Sequence, residues 1–214
     1  MKKYLKLYGH TFRLSLMRNM AYPQDFVVWV IVDILWSAIN LIFFKIILLV
    51  IPNISGWTFD RLIIPLGFIQ ILNAFIWGLM YGNMKENPND INKGSLDLYL
   101  SKPANTQFLL STRYFGLNLI SSFVIGGFLI WYGLSISHTL SIWNLAIVFI
   151  TTAASVVISY SVWFMMVTTA LWFNRLKNIA EVFPHSLDIA RYPVDIFHPF
   201  MRFIFTFIIP FAIL

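Results

Sequence analysis

Long apolar runs alternate with polar intervals along this chain, and the alternation predicts helices that cross a membrane. The first run extends from about Phe26 to Ile51 and the second from about Leu62 to Asn83. The third begins near Phe108 or Tyr114, where Asn105 or Thr106 supplies a cap, and ends near Ile136. A fourth covers about Trp143 to Phe173 and exceeds what a bilayer needs, so it is expected to tilt or project. At about 1.5 Å of rise per residue, each is long enough for ~30 Å of hydrocarbon. A fifth apolar run opens near Phe203 and stops at Leu214. That is too short to cross, and the expectation is a sequence cut within its fifth span.

Ahead of the first run, residues 2–20 fit a helix with Tyr4, Leu5, Tyr8, Phe12 and Leu16 on one side and Lys2, Lys3, Lys6, His10 and Arg13 on the other. Such a helix lies in the interface plane, apolar face toward the acyl chains and cations toward anionic headgroups. The alternative is a signal-peptide n-region, against which the following run is too long and has no small-residue cleavage site. The predicted fold is therefore all-α and membrane-spanning: one transmembrane domain over 1–214, with an interfacial helix in 1–24, four complete spans and a truncated fifth.

Basic residues set the orientation. Lys2, Lys3, Lys6, Arg13 and Arg18 precede the first span, Lys85, Lys93, Lys102 and Arg113 lie in the interval 84–113, and Arg175, Lys177, Arg191 and Arg202 lie in 174–202. The loops 52–61 and 137–142 hold only Arg61 between them. By the positive-inside rule the N-terminus and both basic intervals are cytosolic. The net charge of +6 thus follows membrane sidedness and leaves no patch dense enough for a nucleic-acid backbone. With 59% hydrophobic and 11% charged residues, a soluble domain is excluded. The absence of cysteine removes disulfides, thiolate metal sites and cysteine nucleophiles together.

The interval 84–113 contains one piece that is neither span nor simple turn. After Ile91, Gly94-Ser95 breaks the chain, Ser95 offers a cap to a short helix, and Pro103 ends it. Two turns of helix are unstable alone in water, so this element needs a surface to lie against. A similar order, Ser186-Leu187-Asp188-Ile189 before Pro193, recurs in 174–202 and suggests a second short capped helix on the same side.

Polar residues inside the spans invite other readings. Asp33 would be costly in hydrocarbon unless paired, protonated or facing water, so it either lines a substrate path or bonds a neighbouring helix. Asn40, Gln70 and Asn73 are open to the same two readings. The spacing Gly78 to Gly82 permits close approach of another helix. His185, Asp188, Asp195 and His198 have metal-ligand spacings, but Pro193 interrupts any single helix and no third element supplies a base or nucleophile, so no metal site is assigned. No glycine opens a phosphate-binding G-x-x-x-x-G-K-[ST] loop, so any energy source is a partner or an ion gradient.

On Ile91-x-x-Gly94-x-Leu96-Asp97-x-x-Leu100-x-Lys102-Pro103 with Gln107-Phe108 after it, and on Arg191-Tyr192-Pro193 with Ile196-Phe197, the chain resembles the permeases of ABC-2 type transporters. The bacterial branch that keeps its ATPase on a separate chain is the nearest pattern. The resemblance implies six transmembrane helices after an interfacial helix, a bacterial plasma (inner) membrane location, and two permease subunits, identical or related, paired above two ABC ATPase subunits. It implies a non-catalytic exporter subunit that binds no cofactor itself, with ATP and Mg held by the partner. Gly94 to Pro103 would include the coupling helix seated in an ATPase cleft, Asp97 and Lys102 orienting it and Leu96, Leu98 and Leu100 supplying buried area. Arg191, Tyr192 and Pro193 would belong to the second inner loop. The alternative is a self-sufficient, ion-gradient-driven carrier or channel with a substrate path along Asp33, Asn40, Gln70 and Asn73.

Overall fold

The computed structural model describes residues 2–50, 59–137, 139–172, 178–186, 198–204 and 206, and every regular element among them is helical. In chain order these are α1 (Lys2–Met20), α2 (Pro23–Val50), α3 (Phe59–Phe75), a π-helical turn (Ile76–Met80) and α4 (Tyr81–Lys93). They continue as α5 (Leu96–Leu100), α6 (Thr106–Ser111), α7 (Asn118–Ile136), α8 (Ile142–Thr168) with a 3-10 turn (Thr169–Leu171) after it, α9 (Ile179–Ser186) and α10 (Pro199–Phe203). Four stretches are long and apolar enough to cross a bilayer: Pro23–Val50, Phe59–Lys93, Asn118–Ile136 and Ile142–Leu171. The turn expected at 52–57, the Arg191-Tyr192-Pro193 motif, Asp188, Asp195 and most of the fifth apolar run lie outside the described residues.

The pair α3 and α7 forms the centre of the bundle. A Cβ placed on Gly67 would meet the Gly126 carbonyl oxygen at 2.8 Å, and one on Gly126 would meet the Gly67 oxygen at 2.7 Å. Gly133, two turns further along α7, lies against Ile64 in the same way. Only residues without side chains allow backbones this near, and between helices in lipid such packing replaces the hydrophobic drive available in water. Ile71, Ile130 and Leu134 fill the space beside the crossing. On the outer side of the bundle, Trp29, Trp36, Ile39, Ile42 and Ile46 of α2 are more than half exposed, as a lipid-facing surface requires.

The second span differs from its expected end at Asn83. Through the π-helical turn, α3 and α4 form one rod of 35 residues reaching Lys93. At about 1.5 Å per residue it is ~50 Å long, so its last third projects beyond ~30 Å of hydrocarbon. Packing sustains that projection: Met80 and Met84 are buried against Trp163 and Val167 of α8 and Ala180 and Phe183 of α9. The Trp163 indole N–H donates to the Ala180 carbonyl at 3.0 Å, tying the second inner interval to the fourth span.

The third span likewise begins later than Phe108 or Tyr114, at Asn118. Asn105 does act as a cap, its side chain accepting from the Phe108 N–H at 3.0 Å, but it caps the separate short helix α6. Residues 113–116 are not helical because other elements take their backbone groups. Asn83 Oδ1 accepts from the N–H groups of Arg113 at 2.8 Å and Tyr114 at 2.9 Å, and the Gly116 N–H donates to Gly78 O at 2.7 Å. Ser186 is the last residue of α9, its hydroxyl donating to Phe183 O at 2.7 Å, and the short helix expected after it, with Leu187, Asp188 and Ile189, lies outside the described residues.

Candidate functional site

The chain from Gly94 to Leu117 folds back along the projecting end of α4, and one arginine holds the fold-back together. Gly94 ends α4 in the left-handed conformation (φ +73°), its N–H donating to Ile91 O at 3.2 Å. Glycine adopts this conformation without a Cβ penalty, the usual device for stopping a helix. The five-residue α5 follows at once. So short a helix has no stability of its own, and its anchors are visible.

Arg113 Nη1 donates to Asp90 Oδ2 at 2.5 Å and to the Tyr99 hydroxyl at 3.2 Å. Its Nη2 donates to Asn87 Oδ1 at 2.5 Å and Asn83 O at 3.3 Å, and Nε donates to Leu110 O at 3.3 Å. Every N–H of the guanidinium therefore has an acceptor. The guanidinium carbon also sits 5.0 Å from the centre of the Tyr99 ring. Burial disfavours the charge, yet the bonds to Asp90 and Tyr99 outweigh it and hold the Arg113 pKa above its ordinary value.

Asp90 fixes the start of α5 directly and reaches its Tyr99 through Arg113. One carboxylate oxygen takes Arg113, and the other accepts from the Ser95 hydroxyl at 2.8 Å. Ser95 precedes α5 as expected, but its side chain makes no cap bond to the helix. The carboxylate is the better acceptor for a hydroxyl, and the start of α5 is fixed to α4 by it.

α1 lies against the same loop. The Lys3 ammonium donates to Pro103 O, Tyr4 packs edge-on to Phe108 at 5.0 Å, and Phe12 packs on Phe115 at 4.7 Å. The Ser15 hydroxyl donates to Arg113 O at 3.2 Å and the Asn19 amide to Phe115 O at 2.6 Å. Tyr4 and Phe12, expected to face acyl chains, thus cover protein. Two further ties reach the other inner elements. The Tyr160 hydroxyl of α8 meets Gln107 at 3.0 Å and Ser111 at 2.7 Å, and the Tyr81 hydroxyl of α4 donates to Glu181 of α9 at 2.9 Å, with Lys85 3.6 Å from the same carboxylate.

The motif residues divide by exposure. Leu98 and Leu100 are 66% and 59% exposed, and Asp97, Lys102, Pro103 and Gly94 are exposed with them. Ile91 and Leu96 are half-buried. Tyr99 points inward to Arg113, and Lys102 lies over the outer side of its ring at 4.8 Å. α5 therefore turns two leucines and an acid away from the protein while its tyrosine is clamped. The clamp residues Asn83, Asn87, Asp90, Ser95, Tyr99 and Arg113 were missed as a group. Their signal was the spacing of four and three among Asn83, Asn87 and Asp90, which makes one face only if the helix continues past Asn83.

The polar residues within the spans are not gathered into one site. Asp33 Oδ2 accepts from the hydroxyls of Ser121 at 2.5 Å and Ser122 at 2.8 Å, joining α2 to α7. Asn40 bonds back to Trp36 O on its own helix at 2.7 Å. Gln70 and Asn73 are half-buried on α3, and among the described residues no hydrogen bond joins them to Asp33. No three His, Asp or Glu side chains converge among the described residues.

A family model described as an ABC-2 family transporter protein matches residues 34–214. No curated protein and no solved structure matches the chain.

Proposed function

The chain belongs to the ABC-2 family of transporter proteins and is a membrane-embedded transport subunit, and on that premise we propose that it is the non-catalytic half of an ATP-driven exporter whose ATPase is a separate chain docked on α5. The observation that carries this reading is the combination of exposed Leu98 and Leu100 on a helix too short to be stable alone with the clamp that holds it to the second span. A cytosolic surface leucine pair is costly to leave in water and useful to bury against a partner.

The proposed assembly has two permease subunits over two ATPase subunits in a bacterial plasma membrane, N-terminus inside. The partner binds ATP and Mg and supplies the free energy. In this chain, a displacement of α5 reaches α4 through Ser95, Asp90, Arg113 and Tyr99, since these tie the start of α5 and its Tyr99 to that helix. It passes on to α8 through Tyr160 and to α9 through Glu181. α4 continues into the π-helical turn at Ile76–Met80, whose looser hydrogen bonding suits it to absorb a change of angle between the projecting end and the membrane part of the span. Arg191, Tyr192 and Pro193 are assigned to the second docking contact by resemblance.

The test is co-purification of the ATPase with the variant carrying both Leu98→Asp and Leu100→Asp. Loss of the ATPase with normal membrane insertion is expected. Undiminished co-purification rejects docking at α5.

A further inference from the structure

We infer that the trough between the end of α1 and the π-helical turn binds the headgroup of one anionic phospholipid of the inner leaflet, with Arg18 as its phosphate ligand. A cavity of about 200 Å³ opens there, lined among others by Arg18, Asn19, Trp77, Gly78, Tyr114 and Gly116. A second, of about 170 Å³, adjoins it beneath Tyr8 and Phe12 and shares Ser15, Tyr114 and Phe115. The trough's lining contains one cation and no carboxylate.

The depth fits a headgroup. α1 ends at Met20 and the first candidate span begins at Pro23, so Arg18 stands five residues before that span, where a headgroup is expected. Trp77, 39% exposed, and Tyr114 border the trough at this level, where amphipathic rings belong. On the other side, Gly78 and Gly116 are drawn together by the bond between their backbones. The trough is therefore built from three separate chain segments and is no mere face of α1.

Arg18 is poised for an anion. Its guanidinium carbon stands 4.8 Å from the centre of the Tyr114 ring. This cation-π contact holds the group beside the ring and consumes none of its N–H donors. No ion pair among the described residues uses Arg18, in contrast with Arg113, whose donors are all taken. A planar fork with free donors suits the two oxygens of a phosphodiester. Zwitterionic headgroups carry the same phosphate with a cation beside it, so the preference should be for anionic lipid.

A diffuse alternative exists, in which the basic residues of α1 attract anionic lipid equally and none is a ligand. The full-length protein in phosphatidylcholine nanodiscs doped with phosphatidylglycerol, with bound lipid counted by native mass spectrometry, separates the two. Arg13 is exposed on the same helix and outside the trough, and it serves as the control. The wild type should retain phosphatidylglycerol over phosphatidylcholine. Arg18→Gln should weaken that retention about tenfold or more, and Arg13→Gln less than about fivefold, the effect of one surface charge. Arg18→Lys, which keeps charge and loses the fork, should fall between them. Equal losses in Arg18→Gln and Arg13→Gln, or a wild type that retains both lipids alike, would overturn the assignment.

Discussion

Asp90→Ala is the substitution that most directly loads the clamp beneath α5. It leaves the Arg113 guanidinium without its carboxylate and frees the Ser95 hydroxyl in the same step. Breaking a fully buried ion pair costs about 3–5 kcal/mol. The Arg113 and Asp90 side chains retain 12% and 16% exposure at a cytosolic edge where water can enter, so the lower figure for a charged hydrogen bond, about 2 kcal/mol, applies. At 1.4 kcal/mol per factor of ten, ~2 kcal/mol raises the population of the open fold-back about thirtyfold. Hydrogen exchange read by mass spectrometry should show this at residues 94–105 and 112–117, with residues 121–134 of α7 unaffected. The variant with both Asp90→Leu and Arg113→Met should recover much of the loss, because an apolar pair of similar size leaves no uncompensated charge. Unchanged exchange at 94–105 in Asp90→Ala would refute the reasoning, and so would a double variant no better than the single one.

Three further outcomes follow from the packing. Gly67→Val forces a side chain into the Gly126 backbone, where even a Cβ stands at 2.8 Å, and overpacking should cost about 1–3 kcal/mol, seen as a lower melting temperature in detergent. Gly94→Ala meets no neighbour within 4 Å but must hold φ +73°, so its cost of about 1–2 kcal/mol comes from the backbone alone, and Gly94→Asn should cost less in the same melting assay. Asp33→Asn keeps an acceptor oxygen for Ser121 and Ser122 and should melt close to wild type, whereas Asp33→Leu strands the Ser122 hydroxyl, leaves Ser121 only its bond to Asn118 O, and should lose about 1–2 kcal/mol; equal melting of the two variants would show that the carboxylate is not the joint between α2 and α7.

The spans and the short helix α5 were legible in the sequence because apolar length and turn residues are local signals. Asn105 as a cap and Gly94 as a helix stop are of this kind, each needing only its own neighbours. The clamp was not legible, because Arg113 meets Asp90 and Asn87 across more than twenty residues of sequence and only in a helix whose polar composition reads as loop. What overrides that composition is Met80 and Met84 against Trp163 and Phe183, a contact between three segments far apart in the chain. The start of the third span at Asn118, later than Phe108 or Tyr114, has the same cause. Residues 113–116 forgo helical bonds because Asn83, Ser15, Asn19 and Gly78 supply others. The glycine pair at the helix crossing, Gly67 and Gly126, carried no local signal at all in a membrane chain, where glycine is common.

Photo-crosslinking from position 98 tests the docking claim most directly. With a photoreactive amino acid replacing Leu98 of α5 or, as a control, Leu14 of α1, both exposed, the complex is irradiated in membranes. A permease driven through α5 should give a crosslinked product containing the ATPase from position 98 and none from position 14. An intact, active complex that yields no ATPase crosslink from position 98 would contradict the account.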